Sequence, residues 1–171
     1  MELTTGTGTV YTLRWNGSTN LGNMFKSRTS RELIPFDVYD AYGALCGKLC
    51  KKRQGSSRKY FTYELELYGR LYVMYEVGLG EQGIKLPIYH GPYQIALGEK
   101  DPVTYDNKDG YLLSFDSDLS FWVAVLLSLH YDHDRYGNYG EVSMGSQKTR
   151  IIYSINNEVK SKYDPSWKYS G

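Results

Sequence analysis

The residue types best suited to chemistry in this 171-residue chain lie between His130 and Asp134, where His130, Asp132, His133 and Asp134 crowd together. Imidazole and carboxylate are common ligands of zinc and other divalent ions. In a loop, however, neighbouring side chains leave the backbone in different directions, and no further long-range ligand converges on these four. Solvated loop groups are therefore the expectation. Cys46 and Cys50 are too few and too close for a disulfide framework, and two thiols do not make a metal site. His90 sits in a Gly-Pro turn, remote in sequence from both. No nucleophile elbow, phosphate loop or paired-carboxylate motif is present. The sequence thus points to a binding protein rather than an enzyme, with no metal and no cofactor.

Binding is best placed on the stretch Trp122–Tyr139. Its apolar run, Trp122 to Leu127, reads as a strand buried on both faces. From Ser128 the chain turns polar and aromatic, with Tyr131, Tyr136 and Tyr139 among Asp132, Asp134, Arg135 and Asn138. A loop mounted on a rigid strand is a common seat for a site. Tyrosine rings suit a cationic headgroup or the interfacial layer of a bilayer.

This segment resembles the signature of the actinoporins, the sea-anemone pore-forming cytolysins, at Ala124, Val125, Ser128, Tyr131, Asp132, Tyr136, Asn138 and Tyr139. Two flanking segments are similar in order, KLPIYHGPYQIAL (Lys85 to Leu97) and GYLLSFDSD (Gly110 to Asp118). The resemblance implies a β-sandwich flanked by two helices, with Ser128, Tyr131, Tyr136, Tyr139 and Tyr153 contacting a lipid headgroup. It also implies that an amphipathic helix containing Phe36-Asp37 detaches, enters the membrane and assembles into an oligomeric pore. Membrane lipids, choline headgroups among them, and further copies of the chain are the implied partners. The alternative is a non-lytic lectin or lipid-headgroup binder on a similar sandwich, in which the helix never leaves.

Length and composition fit this class. One domain spanning 1–171 is the default for a chain of this size. A net charge of +1 supplies no bulk attraction for nucleic acid. The 18 tyrosines, against 5 phenylalanines and 3 tryptophans, favour half-buried strands. No run is long and apolar enough for a transmembrane helix, and no leading signal segment is recognisable. The expectation is a protein soluble as made, secreted, then associated with a target membrane.

The elements follow from periodicity. Val38, Tyr42, Leu45 and Leu49 share one face of a helix over 34–50, the segment expected to insert, although Gly43 and Gly47 weaken it. Ile151, Ile155, Val159 and Tyr163 predict a second helix over 151–163. Strands are expected at Thr9–Trp15, Tyr60–Tyr68, Leu71–Val77, Ile84–Ile88, Tyr93–Leu97, Tyr111–Phe115 and Glu141–Met144, with loop over Asn16–Arg31. The Thr9–Trp15 strand is expected to replace the family's C-terminal strand.

Overall fold

A computed structural model describes residues 1–5, 8–16, 32–55, 60–100, 110–136 and 152–167. These residues are mostly β-strand, with two α-helices. The chain divides into two compact units, Met1–Tyr72 and Val73–Gly171.

The first unit is an antiparallel meander of β1 (Glu2–Thr5), β2 (Gly8–Trp15), β3 (Glu32–Asp40), β4 (Leu45–Gln54) and β5 (Tyr60–Leu67). Each strand pairs with its sequence neighbours. Leu13, Val38, Leu49 and Leu65 are buried on one face, which cross-strand pairing brings into line. β6 (Arg70–Tyr75) follows a tight turn at Tyr68 and Gly69.

One expectation is corrected here. Residues 34–50 do not form a helix: they are β3, a turn at 41–44, and β4. The spacing of Val38, Tyr42, Leu45 and Leu49 meets a helical template, but the turn chemistry overrides it. Asp40 Oδ1 accepts from the Tyr42 and Ala44 amides, both at 2.9 Å, and Gly43 takes φ 78°. Gly47 is needed in the strand, since a Cβ there would overlap the Glu66 carbonyl. β2, the strand expected at Thr9–Trp15, lies between β1 and β3.

In the second unit, β7 (Val77–Gly78) pairs with β8 (Ile84–His90), β8 with β9 (Tyr93–Lys100), and β9 with β10 (Tyr111–Phe115), all antiparallel. Helix α1 (Asp118–Tyr136) packs on β9 and β10. Here the expected buried strand Trp122–Leu127 is corrected to the interior of α1. An apolar run of that length fits a buried strand or a helix buried all round, and only its flanks decide between them. Ser117 supplies the missing start signal: its hydroxyl accepts from the Ser120 amide at 3.3 Å, and its carbonyl accepts the Phe121 amide at 2.9 Å. Asp118 in the first turn, with His133 and Arg135 in the last, matches the helix dipole. Val123, Ala124, Leu126, Leu127, His130 and Tyr131 are buried, while Phe121, Trp122, Val125 and Leu129 form a half-buried stripe along the other side of α1.

The expected 151–163 helix shrinks to one turn, α2 (Asn157–Lys160). Asn156 caps it by accepting the Glu158 amide at 2.9 Å, which fixes the start of the helix, while Tyr153 pairs in extended form with Leu79. Glu141–Met144 and most of the Asn16–Arg31 loop lie outside the described residues.

Candidate functional site

The three expected headgroup residues whose side chains are described, Ser128, Tyr131 and Tyr153, do not converge on a surface. Ser128 and Tyr131 lie within α1, Tyr131 fully buried and Ser128 nearly so, and neither can meet a lipid. The Ser128 hydroxyl has no hydrogen-bond partner among the described residues. Tyr136 ends α1, and its side chain and all of Tyr139 lie outside the described residues. Tyr153 alone of the five is observed to be exposed. The error follows from the strand reading, in which residues after Leu127 became a loop.

The His-Asp cluster is likewise carried on α1. His130 is buried, and Asp132 accepts the Tyr111 hydroxyl at 2.8 Å. Nearby, the Glu76 carboxylate accepts the Tyr131 hydroxyl at 3.1 Å and pairs with Arg135. These bonds fasten the C-terminal end of α1 and leave Glu76 already engaged by two donors. Among the described residues, no group of three His, Cys, Asp or Glu side chains is placed to hold a metal.

A different cluster emerges at the turn end of the first unit. Tyr42 stands at the tip of the β3–β4 turn, 96% exposed. Leu45, paired across the strands with Tyr39, is 63% exposed. Tyr68, in the adjacent turn, is 58% exposed, and its amide donates to the Cys46 carbonyl at 2.8 Å, which ties the two tips together. Leu71 is exposed just beyond that turn. Below the tips, Arg14 lies 4.6 Å from the Tyr39 ring.

The position of Tyr68 is held at a cost. Both Tyr68 (φ 50°) and Gly69 (φ 73°) have positive φ, as a primed hairpin turn requires, and Tyr68 is the only non-glycine among the described residues to do so. The left-handed conformation costs a side chain about 1–2 kcal/mol. Hydrogen bonds to Tyr11 and Cys46 hold its phenol in place. Burial, then the bond to Tyr68, pushes the Tyr11 phenol well above the ordinary tyrosine range. Burial likewise raises Cys46, whose thiol donates to the Val38 carbonyl at 3.4 Å. Thiol and phenols are therefore kept neutral, as suits a supporting layer rather than a nucleophile.

These rim residues could have been found from sequence. Asp-Ala-Tyr-Gly over 40–43 and Tyr-Gly over 68–69 are turn signals that place an aromatic at a tip. Comparison with protein-family models, with curated proteins and with solved structures finds no match.

Proposed function

We propose that this protein is a non-lytic lipid-surface-binding module that docks through the rim formed by Tyr42, Leu45 and Tyr68. The observation that carries this reading is the exposure of these side chains at adjoining hairpin tips, with Tyr42 at 96%. Tips are convex and can enter the interfacial layer of a bilayer without unfolding a strand. Tyrosine suits that layer, because its amphipathic ring can rest at the level of the headgroups. Full burial of a leucine-sized side chain is worth about 1.5–3 kcal/mol, so a rim of this size gives reversible, surface-level attachment.

Binding without a pore is favoured over lysis because β3 and β4 are both interior strands of the meander. β3 is hydrogen-bonded to β2 and β4, and β4 to β3 and β5. Detaching 34–50 as an inserting helix would break both outer ladders and empty the core of Val38 and Leu49. No helix among the described residues is long and apolar enough to cross a membrane. An actinoporin-like β-sandwich has support from the antiparallel strands alone, since residues 34–50 form two strands and a turn rather than a helix, and Trp122–Tyr136 is helix rather than strand and loop. Membrane lipids are thus the proposed partner, self-assembly into a pore is set aside, and the working location is a membrane surface.

The test is co-sedimentation with zwitterionic and anionic vesicles, alongside release of an entrapped dye. Wild type should bind without releasing dye, and the Tyr42→Ser, Leu45→Ser double variant should bind about tenfold more weakly or less. Undiminished binding by that variant would remove the rim from the account.

A further inference from the structure

The C-terminal part of the second unit lies on the surface like a bound peptide. Ile152–Ser154 runs antiparallel to Gly78–Gly80, with the Gly80 amide donating to the Ile152 carbonyl and the Ser154 amide to the Gly78 carbonyl, each at 2.9 Å. The Ser154 hydroxyl accepts from the Gly78 amide at 2.9 Å and donates to the Glu76 carbonyl at 3.3 Å. The seat is shaped for this segment. A Cβ at Gly78 would come 2.5 Å from the Ile152 carbonyl oxygen, and one at Gly80 would overlap the Tyr153 ring. Further along, Val159 is buried. The segment then ends over two aromatic rings: the Lys162 ammonium lies 5.2 Å from the Tyr75 ring and 5.9 Å from the Tyr89 ring, while the Tyr89 hydroxyl donates to the Lys162 carbonyl at 2.8 Å. Tyr75 and Tyr89 meet edge to face at 5.9 Å, giving the cation a ring on each of two sides.

We propose that Gly78–Gly80 together with Tyr75 and Tyr89 is a recognition site for a peptide that pairs through a short extended stretch and, after one helical turn, presents a lysine, and that residues 152–162 are its built-in occupant. The features are those of strand addition. Main-chain bonds supply affinity without sequence demand, and flanking contacts, here the buried Val159 and an aromatic cation site, supply selectivity. Tyr153 and Ile155, alternate in sequence and both exposed, show that the occupant is covered on one side only. Because it is tethered, the resident segment competes at high effective concentration, so an outside peptide gains access only when the resident contacts are weakened. The same rings would take a methylated lysine at least as well, since a methylated ammonium is more easily desolvated against an aromatic face. This site is separate from the hairpin rim and does not depend on lipid binding.

The experiment titrates a fluorescent synthetic peptide with the sequence of residues 152–167 into the full chain, read by anisotropy. Wild type should bind weakly. The Ser154→Ala, Lys162→Ala variant, whose own segment is loosened while the seat is intact, should bind the peptide roughly tenfold or more tightly. Replacing the peptide's Lys162 by norleucine, with Lys160 kept, should weaken that binding about two- to fivefold, and trimethylating Lys162 should preserve or strengthen it. The single variant Lys162→Gln, which leaves the strand pairing in place, should show a smaller gain in the same direction and serves should the double variant fold poorly. Adding Gly78→Val to the Lys162→Gln chain should abolish the gain by closing the seat. Equal peptide binding by wild type and Lys162→Gln, or binding indifferent to the peptide's Lys162, would overturn the proposal.

Discussion

Tyr11 is the residue on which the rim rests, and its chemistry gives the account a pH dependence. Burial raises its folded-state ionisation above the unfolded value of about 10. Between those two values the unfolded chain has released the proton and the folded chain has not, so the unfolded state binds fewer protons and stability falls as pH rises. Tyr11 therefore contributes its full stabilisation below about pH 10 and loses it progressively above. Tyr11→Phe should flatten the alkaline decline in melting temperature, at the cost of the bond to Tyr68. Tyr68 itself separates strain from function. Tyr68→Asn places a residue more tolerant of positive φ in the turn, so thermal stability should hold or rise while vesicle binding weakens; a parallel loss of both would mean that the phenol is structural.

At the scale of elements, α1 is the largest single source of core. Val123, Ala124, Leu126, Leu127 and Tyr131 are all fully buried on it. Leu127→Ala should cost about 2–5 kcal/mol in chemical denaturation, and Ser117→Ala, which removes the cap, about 0.5–2 kcal/mol. A near-neutral Leu127→Ala would contradict the burial of the helix. The strands were largely legible from alternation: Tyr60–Leu67, Ile84–His90 and Tyr111–Phe115 stand close to where period two puts them. Helices were not, for two opposite reasons. In α1 the half-buried stripe is itself apolar, with Phe121, Trp122, Val125 and Leu129, which erases the amphipathic signal, and the decisive residues were Ser117 and Asp118 rather than the apolar run. Over 34–50 an accidental helical spacing outweighed Asp40 and Gly43, whose hydrogen bonds and backbone angle make a turn. The candidate site inherited both errors: Ser128 and Tyr131, assigned to a loop, lie inside the protein, and Tyr42, assigned to a helix face, stands at the hairpin tip.

For the molecule as a whole, the two units carry separable surfaces: a hairpin rim in Met1–Tyr72 suited to a lipid interface, and a peptide seat in Val73–Gly171 already filled by the chain itself. Attachment through turns differs from attachment through an inserting helix in its consequence for the bilayer, because the strands behind the tips keep their pairing and no span is created. The most direct test places an indole at the tip. Tyr42→Trp should bind vesicles like wild type, and the fluorescence it adds above that of Trp15, Trp122 and Trp167 should shift to the blue. Lipids brominated high on the acyl chain should quench this added signal more strongly than lipids brominated near the chain end, with entrapped dye retained throughout. An added signal that remains unshifted and unquenched on vesicles the protein demonstrably binds, or dye release in step with binding, would contradict the account.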